Sequence, residues 1–415
     1  MNWFKHINLN SFKIKPSFFY LIVAFVFLMP LYKISASPFI ILFSIFSLYK
    51  IFKTNFKVLN HFFDIKLNIL FTILISLLAF SLFYSSNLEV GFKHLKESLP
   101  LILFPIFLHI YKLDKNQILI LLKTFLIGCL FAFFISIFSQ FYNIYKGLEY
   151  SFYYIDLVKL IWMHPTYLSL YLNFAILISY YLFIEKEYNV YMLLFNVIIF
   201  TIFILLLSAR MQIINLAIVY FLIFTNFIKN RFSLKMIFII LSISILGFIA
   251  IKNNTHLKNR FSYIQNLKYN YTQNDKSWNG ANVRLAIWNS SFDLIKRNIF
   301  LGVGIGDEDE KLIETFKLNS FSFAHRLKYV AHNQYVQFLI SVGLIGLSIY
   351  ISIFIFLFRR SIINKNFLLF SLLILLIFTG LTESYLRMQS GIVFFTFMII
   401  LIFQLNNFSI ILKND

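Results

Sequence analysis

The chain has 415 residues, of which 60% are apolar, 20% aromatic and only 13% charged, and its formal net charge is +20. Soluble domains average about 45–50% apolar, and 55 phenylalanines are more than one soluble core can hide, so a large soluble protein is excluded. The basic residues are scattered through short connections between apolar runs, a pattern of membrane topology and not of a nucleic-acid groove.

In chain order, Lys5, Lys13 and Lys15 precede an apolar run too long for a signal-peptide core, which reads as a retained first span. A hydrocarbon layer of about 30 Å needs about 20 helical residues. Twelve stretches qualify approximately: 17–35, 37–52, 67–86, 98–111, 118–142, 165–184, 190–208, 210–228, 234–251, 334–358, 366–382 and 391–408. The second and fourth are short, so ten or eleven spans remain open. Lipid offers backbone groups no partner, so the spans must be helices, and the runs lack the alternation of a membrane barrel. The single cysteine, Cys129, lies inside an apolar run, which rules out an intrachain disulfide and a multi-cysteine metal site.

The expected fold is an all-α integral membrane protein. A bundle of about nine spans occupies 1–251, one large and partly helical outer loop 252–333, and a bundle of about three spans 334–415. With the N-terminus in the cytoplasm, cytoplasmic segments hold about seventeen Lys and Arg against about seven in the short outer loops. Both termini are therefore expected in the cytoplasm and the long polar loop outside. A smaller outer loop, 143–164, carries Tyr145, Tyr150, Phe152, Tyr153, Tyr154 and Trp162 and suits the membrane interface. His164-Pro165 opens the next span, with proline where its missing N–H costs little.

Within the long loop, Asn282 is placed to cap a helix through Lys296, with Leu285, Trp288 and Phe292 along one face. A second helix is expected from about Asp307 to Lys317, acidic at the end where the helix dipole favours it. GVGIGD, residues 302–307, lacks the strand of a nucleotide-binding unit and reads as a tight turn. Asp307, Glu308, Asp309 and Glu310 read as a solvated capping run and not a metal site, so no metal and no cofactor is expected.

Arg210, in LLLSARMQIINL, has apolar sequence on both sides. It is either a turn residue snorkelling to the surface or a fixed positive charge facing an anionic ligand. Arg284 and His332 are, taken singly, compatible with ordinary solvated residues; His325, beside Arg326 and Lys328, competes with His332. Glu383 and Arg387 lie on the last outer turn, where they can pair at helical i,i+4 spacing or line a site.

SAR at a span start, NVRLAIW followed by NIFLGVGIGD, and HNQYVQFLISVGLIGL at the next span together resemble the O-antigen ligase and polymerase family, multi-span glycosyltransferases of GT-C type. The resemblance is strongest from about 195 to 350. It implies that Arg210 and Arg284 bind the pyrophosphate of an undecaprenyl-linked glycan donor and that His332 is the catalytic base, with His164, Glu383 and Arg387 as further candidates. It implies an inner-membrane enzyme with its site facing the periplasm and lipid A–core as acceptor.

The chemistry is coherent on its own terms. Guanidinium forks match phosphate oxygens better than a lysine point charge. A sugar hydroxyl is a poor nucleophile that gains from a base, and direct displacement inverts the anomeric carbon. The alternatives are a polymerase, whose acceptor is another lipid-linked repeat unit; a protein O-glycosyltransferase; and a polysaccharide transporter. A transporter predicts repeated halves and mid-membrane charges, and neither is visible in the sequence.

Overall fold

The computed structural model describes residues 16–32, 36–229 and 269–411. Regular structure among them is entirely helical. The first ten helices are α1 (Pro16–Leu28), α2 (Ala36–Lys53), α3 (Lys66–Phe80), α4 (Leu88–Ser98), α5 (Pro100–Ile110), α6 (Lys115–Tyr145), α7 (Tyr154–Leu157), α8 (Pro165–Ile184), α9 (Val190–Leu207) and α10 (Arg210–Lys229). From residue 269 onward come α11 (Asn282–Arg297), α12 (Glu308–Leu318), α13 (Ser322–Leu327), α14 (Gln334–Ile363), α15 (Phe367–Gly380) and α16 (Gln389–Ile411).

Among the described residues, 7 helices are long and apolar enough to cross a membrane, and three shorter apolar helices accompany them. The chain is a multi-pass membrane protein. Each expected span falls on one of these helices except 98–111, which falls on α5, and 234–251, which lies outside the described residues, as do the first part of the expected outer loop and the N-terminal lysines. The fourth expected span is only the 11-residue α5, with Pro105 inside it. At about 1.5 Å per residue it is too short to cross alone. Just before it, α4 is an addition to the expected elements. Glu89, Lys93, His94, Lys96 and Glu97 alternate with its apolar residues and leave no apolar run, yet Asn87 caps it by accepting from the Val90 N–H at 3.1 Å.

The bundle is centred on α8, buried along almost its whole length and packed against α6, α9, α10 and α15. Successive helices reverse direction and so sort the connections to two ends. At one end, Ser86 and Asn87 N–H groups donate to the Asp307 carboxylate at 2.8 Å, and Asn333 N–H donates to Ser384 Oγ at 3.2 Å. At the other, Lys115 pairs with Glu185 at 2.6 Å and Lys123 with Glu187 at 2.7 Å.

The segment 269–333 has a core of its own, in which Val283, Ala286, Ile287, Leu294, Leu312, Phe316 and Phe321 are buried. The two helices expected there are present as α11 and α12. The buried face of α11 differs from the expected stripe: Phe292 is exposed, and Ala286, Ser290 and Ser291 are buried. The packed face combines Val283, Ile287, Leu294 and Ile295 with the small side chains of Ala286, Ser290 and Ser291. The start of α11 also differs. Asn282 is its first helical residue, and the capping oxygen belongs to Asn279, which accepts from the N–H groups of Ala281 and Asn282 at 2.9 and 3.0 Å.

The loop core is joined to α14 at a break in that helix. Gly343 has φ 64° and ψ −161°, which interrupts the helical ladder. Val303 and Gly304 N–H groups donate to the carbonyls of Ile340 and Ser341 at 2.8 and 2.9 Å. In return, Leu344 and Ile345 N–H groups donate to Ile299 and Phe300 carbonyls at 2.8 and 3.4 Å. The strip 299–304 thereby supplies the partners that the broken helix lacks.

Candidate active site

At the end of α9, Ser208 takes a left-handed conformation (φ 50°) and turns the chain, so that Arg210 becomes the first residue of α10. A positive side chain there adds to the positive end of the helix dipole, an arrangement suited to an anion. Opposite lies the turn before α11. A Cβ placed on Gly280 would stand 3.1 Å from Arg210 Nη1 and 3.2 Å from Nη2, so the guanidinium packs directly on this glycine.

Arg284 comes to the same glycine from the first turn of α11. Its Nη1 donates to the Gly280 carbonyl at 3.3 Å, and Nη2 reaches Glu383 Oε1 at 3.4 Å. Its Nε is buried with no hydrogen-bond partner among the described residues. Two guanidinium groups from distant parts of the sequence thus converge on Gly280, and one of them has donor capacity unspent. The Asn279 cap and the return bond from Asn279 N–H to Asn282 Oδ1 at 2.8 Å fix the turn that holds them.

His332 stands beside this pair on a short connection anchored on both sides. Trp288 Nε1 donates to the Ala331 carbonyl at 3.0 Å. On the other side, Asn333 caps α14, accepting from Tyr335 and Val336 N–H groups at 2.9 and 3.1 Å, and its own Nδ2 donates to the Leu381 carbonyl at 3.1 Å. His332 itself has φ 48°, the left-handed region in which the chain turns between its two anchors. Burial, then the nearby charges of Arg284 and His164, lower its pKa to about 4.

Glu383, on the turn between α15 and α16, is largely buried, and burial raises its carboxyl to about 7 against the opposing pull of Arg284. His164 sits at the exposed edge, where its Nδ1 accepts from the Thr166 N–H at 3.3 Å and starts α8. His325 is exposed on α13.

Arg387 does not join this group, and it does not pair with Glu383. The turn Tyr385–Arg387 is a 3-10 helix that directs it the other way. Its Nε lies 3.0 Å from Glu308 Oε1, and Nη1 2.7 Å from Asp309 Oδ1. The acidic run is therefore not a solvated turn. Asp307 and Glu308 are buried and Asp309 is ion-paired. The glycine loop beside it is equally committed. The N–H groups of 302–306 donate to Asn298, Ile340 and Ser341 carbonyls and to Ser81 and Ser85 hydroxyls, which leaves no cradle for a phosphate. Among the described residues no group of three or more His, Cys, Asp or Glu side chains is placed to hold a metal ion.

Residues 195–351 match the family model described as O-antigen ligase. The match supports the O-antigen ligase and polymerase family. The matched segment runs from α9 past the break in α14 and contains Arg210, Arg284 and His332, while His164, Glu383 and Arg387 lie outside it. Members of the O-antigen ligase family are glycosyltransferase-like enzymes whose substrates are lipid-linked glycans in the membrane. No match was found among curated proteins. Sequence reasoning did not single out Gly280, Asn279 or Ser384, and gave Trp288 and Asn333 no part in positioning the three residues. The Asn279-x-x-Asn282 spacing was the legible cue.

Proposed function

We propose that the chain is an O-antigen ligase-type glycosyltransferase, moving a glycan from undecaprenyl pyrophosphate to lipid A–core at the periplasmic face of the inner membrane. The observation that carries this reading is the meeting of Arg210 and Arg284 at Gly280. Two guanidinium groups brought to one glycine form a cationic patch, and a diphosphate matches it in both charge and fork geometry.

In the proposed reaction the acceptor hydroxyl gives its proton to His332, and its oxygen attacks the anomeric carbon. The bond from that carbon to the pyrophosphate oxygen breaks with inversion. The electron pair leaves on the diphosphate, whose charge Arg210 and Arg284 neutralise. A bound diphosphate also offsets the Arg284 charge that depresses His332, so the imidazole becomes a stronger base when donor is present. Glu383 holds Arg284 until the phosphate displaces it.

The test is transfer in reconstituted membranes from undecaprenyl-linked glycan, with lipid A–core and with a second lipid-linked repeat unit as competing acceptors. Arg210→Ala and Arg284→Ala are expected to lower transfer about 10²–10³-fold while the protein stays folded in the membrane. Near-normal transfer by either variant removes it from donor binding. Product on lipid A–core identifies the ligase, and extension of the repeat unit identifies the polymerase. Chelator is expected to leave the rate unchanged; recovery of a lost rate by an added divalent ion would overturn the metal-free step.

A further inference from the structure

Close to Arg210, four polar side chains meet inside the helix bundle. Asn173 of α8, Gln212 and Asn215 of α10 and Thr379 of α15 are fully buried. Gln212 Nε2 and Asn215 Nδ2 both donate to Thr379 Oγ1, at 3.1 and 3.0 Å. Asn215 Nδ2 also donates to Gln212 Oε1 at 3.1 Å, and Asn173 Nδ2 donates to the Gln212 carbonyl at 2.9 Å and to its Oε1 at 3.3 Å. Thr379 Oγ1 in turn donates to the Leu375 carbonyl at 2.7 Å. Polar side chains between apolar helices are costly to bury, and apolar residues of similar volume would pack the same joint. What the polar set adds is direction, since each bond fixes one helix against another along its axis.

These bonds close a ring of contacts around the candidate active site. Gln212 follows Arg210 on the first turn of α10. Thr379 stands one turn before Glu383, whose N–H donates to the Thr379 carbonyl at 3.0 Å. Glu383 reaches Arg284 Nη2, Arg284 Nη1 reaches the Gly280 carbonyl, and Gly280 lies against Arg210. One guanidinium is thus joined to the other by two routes. The route through Gly280 is a loop turn, and Arg284 is held on it by contacts of 3.3 and 3.4 Å. The route through Gln212 and Thr379 joins two regular helices by bonds of 3.0 and 3.1 Å between buried groups, and is the firmer of the two.

We infer that Gln212 and Thr379 are positioning residues that set the spacing of the Arg210 and Arg284 guanidinium groups, and through it the preference for a diphosphate over a monophosphate. The inference rests on the glycosyl-transfer reading, in which one diphosphate engages both arginines. Both side chains are shut inside the bundle, so each acts through another group: Gln212 through Arg210, and Thr379 through Glu383 on Arg284. A diphosphate that bridges two fixed cations is sensitive to their separation. A monophosphate is matched by a single guanidinium fork and is not. Loosening the link between α10 and α15 therefore weakens one ligand and spares the other. General loosening of the bundle would weaken both.

The test is binding of undecaprenyl diphosphate and of undecaprenyl monophosphate to the full-length chain in nanodiscs, each read as a dissociation constant. Thr379→Val keeps the shape and removes the hydroxyl, and Gln212→Met keeps the length and removes the amide. Each is expected to weaken diphosphate binding about tenfold and to leave the monophosphate within about twofold. Thr379→Ser, which keeps the Oγ, is expected to restore the native ratio of the two constants. The Gln212→Met/Thr379→Val double variant should bind the diphosphate no more weakly than either single variant, because both break one link. An unchanged ratio in both single variants, in protein of native melting temperature, overturns the inference and leaves the transfer reading standing. Equal weakening of both lipids also overturns it and marks a purely structural role. A native chain with no preference for the diphosphate ends the transfer reading, and the inference with it. Should Thr379→Val fail to fold, Gln212→Met carries the same test from the other side of the bond.

Discussion

Arg284 Nη2 lies 3.4 Å from Glu383 Oε1, and this pair ties the first turn of α11 to the turn between α15 and α16. The contact is long for a charge-assisted hydrogen bond, whose usual length is about 2.7–2.9 Å. Together with an Nε that has no partner among the described residues, it describes a guanidinium held in place and not saturated. An incoming diphosphate can take over its donors without breaking a tight ion pair.

Glu383 makes donor affinity depend on pH. Its carboxyl is raised to about 7 by burial, so below that pH it is neutral and leaves Arg284 to the donor. Above it, the carboxylate competes. Donor KM is expected to rise as pH increases through about 7, and Glu383→Gln is expected to flatten that rise. Stability follows the same sign: because the folded pKa is raised, the contribution is complete below about 4.5 and is lost as pH climbs to about 7. Melting temperature against pH for the native chain and Glu383→Gln checks both.

His332 titrates at the other extreme. With its pKa lowered to about 4, the imidazole is neutral and able to accept a proton at any pH above that. The acid limb of kcat/KM, which reports the free enzyme, is expected near pH 4 and not near 6.5. The limb of kcat is expected higher, because bound diphosphate offsets Arg284. For stability the sign is opposite to that of Glu383. The folded state excludes the proton, so stability is present above about 6.5 and is lost as pH falls through about 4. Identical limbs in kcat and kcat/KM would count against the coupling between donor and imidazole.

Gly280 is the point where the two arginines meet, and it admits no side chain without displacing one of them. Gly280→Ala places a methyl group 3.1 Å from Arg210 Nη1, so the guanidinium has to shift by a few tenths of an ångström. Transfer is expected to fall about threefold to tenfold, the scale of a misplaced contact and not a lost one. Melting temperature should barely change. Donor titration alongside the rate separates misplacement from unfolding.

Gly343→Ala is expected to do the reverse, damaging the fold first. Its φ of 64° with ψ −161° is a glycine conformation, and an added Cβ would overlap the Phe300 carbonyl oxygen. Backbone strain of about 1–3 kcal/mol adds to that clash. A lower melting temperature with loss of activity in proportion to the unfolded fraction is the expected result.

Much of this architecture was legible because hydropathy reports burial in lipid directly. Eleven helices follow from apolar runs, and Asn333 marks a helix start by cap chemistry, whereas Asp307 precedes α12 without capping it and spends its carboxylate on the Ser86 and Asn87 N–H groups. Arg210 stood out because arginine between apolar runs is costly, and its pairing with Arg284 followed from the resemblance of their surroundings to a known family. Local reasoning failed where the partner is remote. Glu383 is four residues from Arg387, so proximity in sequence suggested a pair, yet each found an opposite charge on the segment that follows α11 or on α11 itself. Glu308 and Asp309 looked like a solvated acidic run because nothing local in the sequence calls for their burial; their counter-charge comes from Arg387, far along the chain. Amphipathic α4 was lost between spans because its charges are as frequent as its apolar residues.

The exchange of hydrogen bonds at Gly343 has an implication for how the protein can be taken apart. A polar segment that fills the gap in a hydrophobic helix is neither a detachable cap nor an independent domain. Cut away from the bundle it would expose four unmet backbone groups and part of its own core, and the span left behind would carry four more into lipid. Grafting this segment onto a related enzyme would therefore succeed only if the recipient helix is interrupted at the matching position, which makes the interruption the unit of inheritance for whatever substrate preference the loop confers.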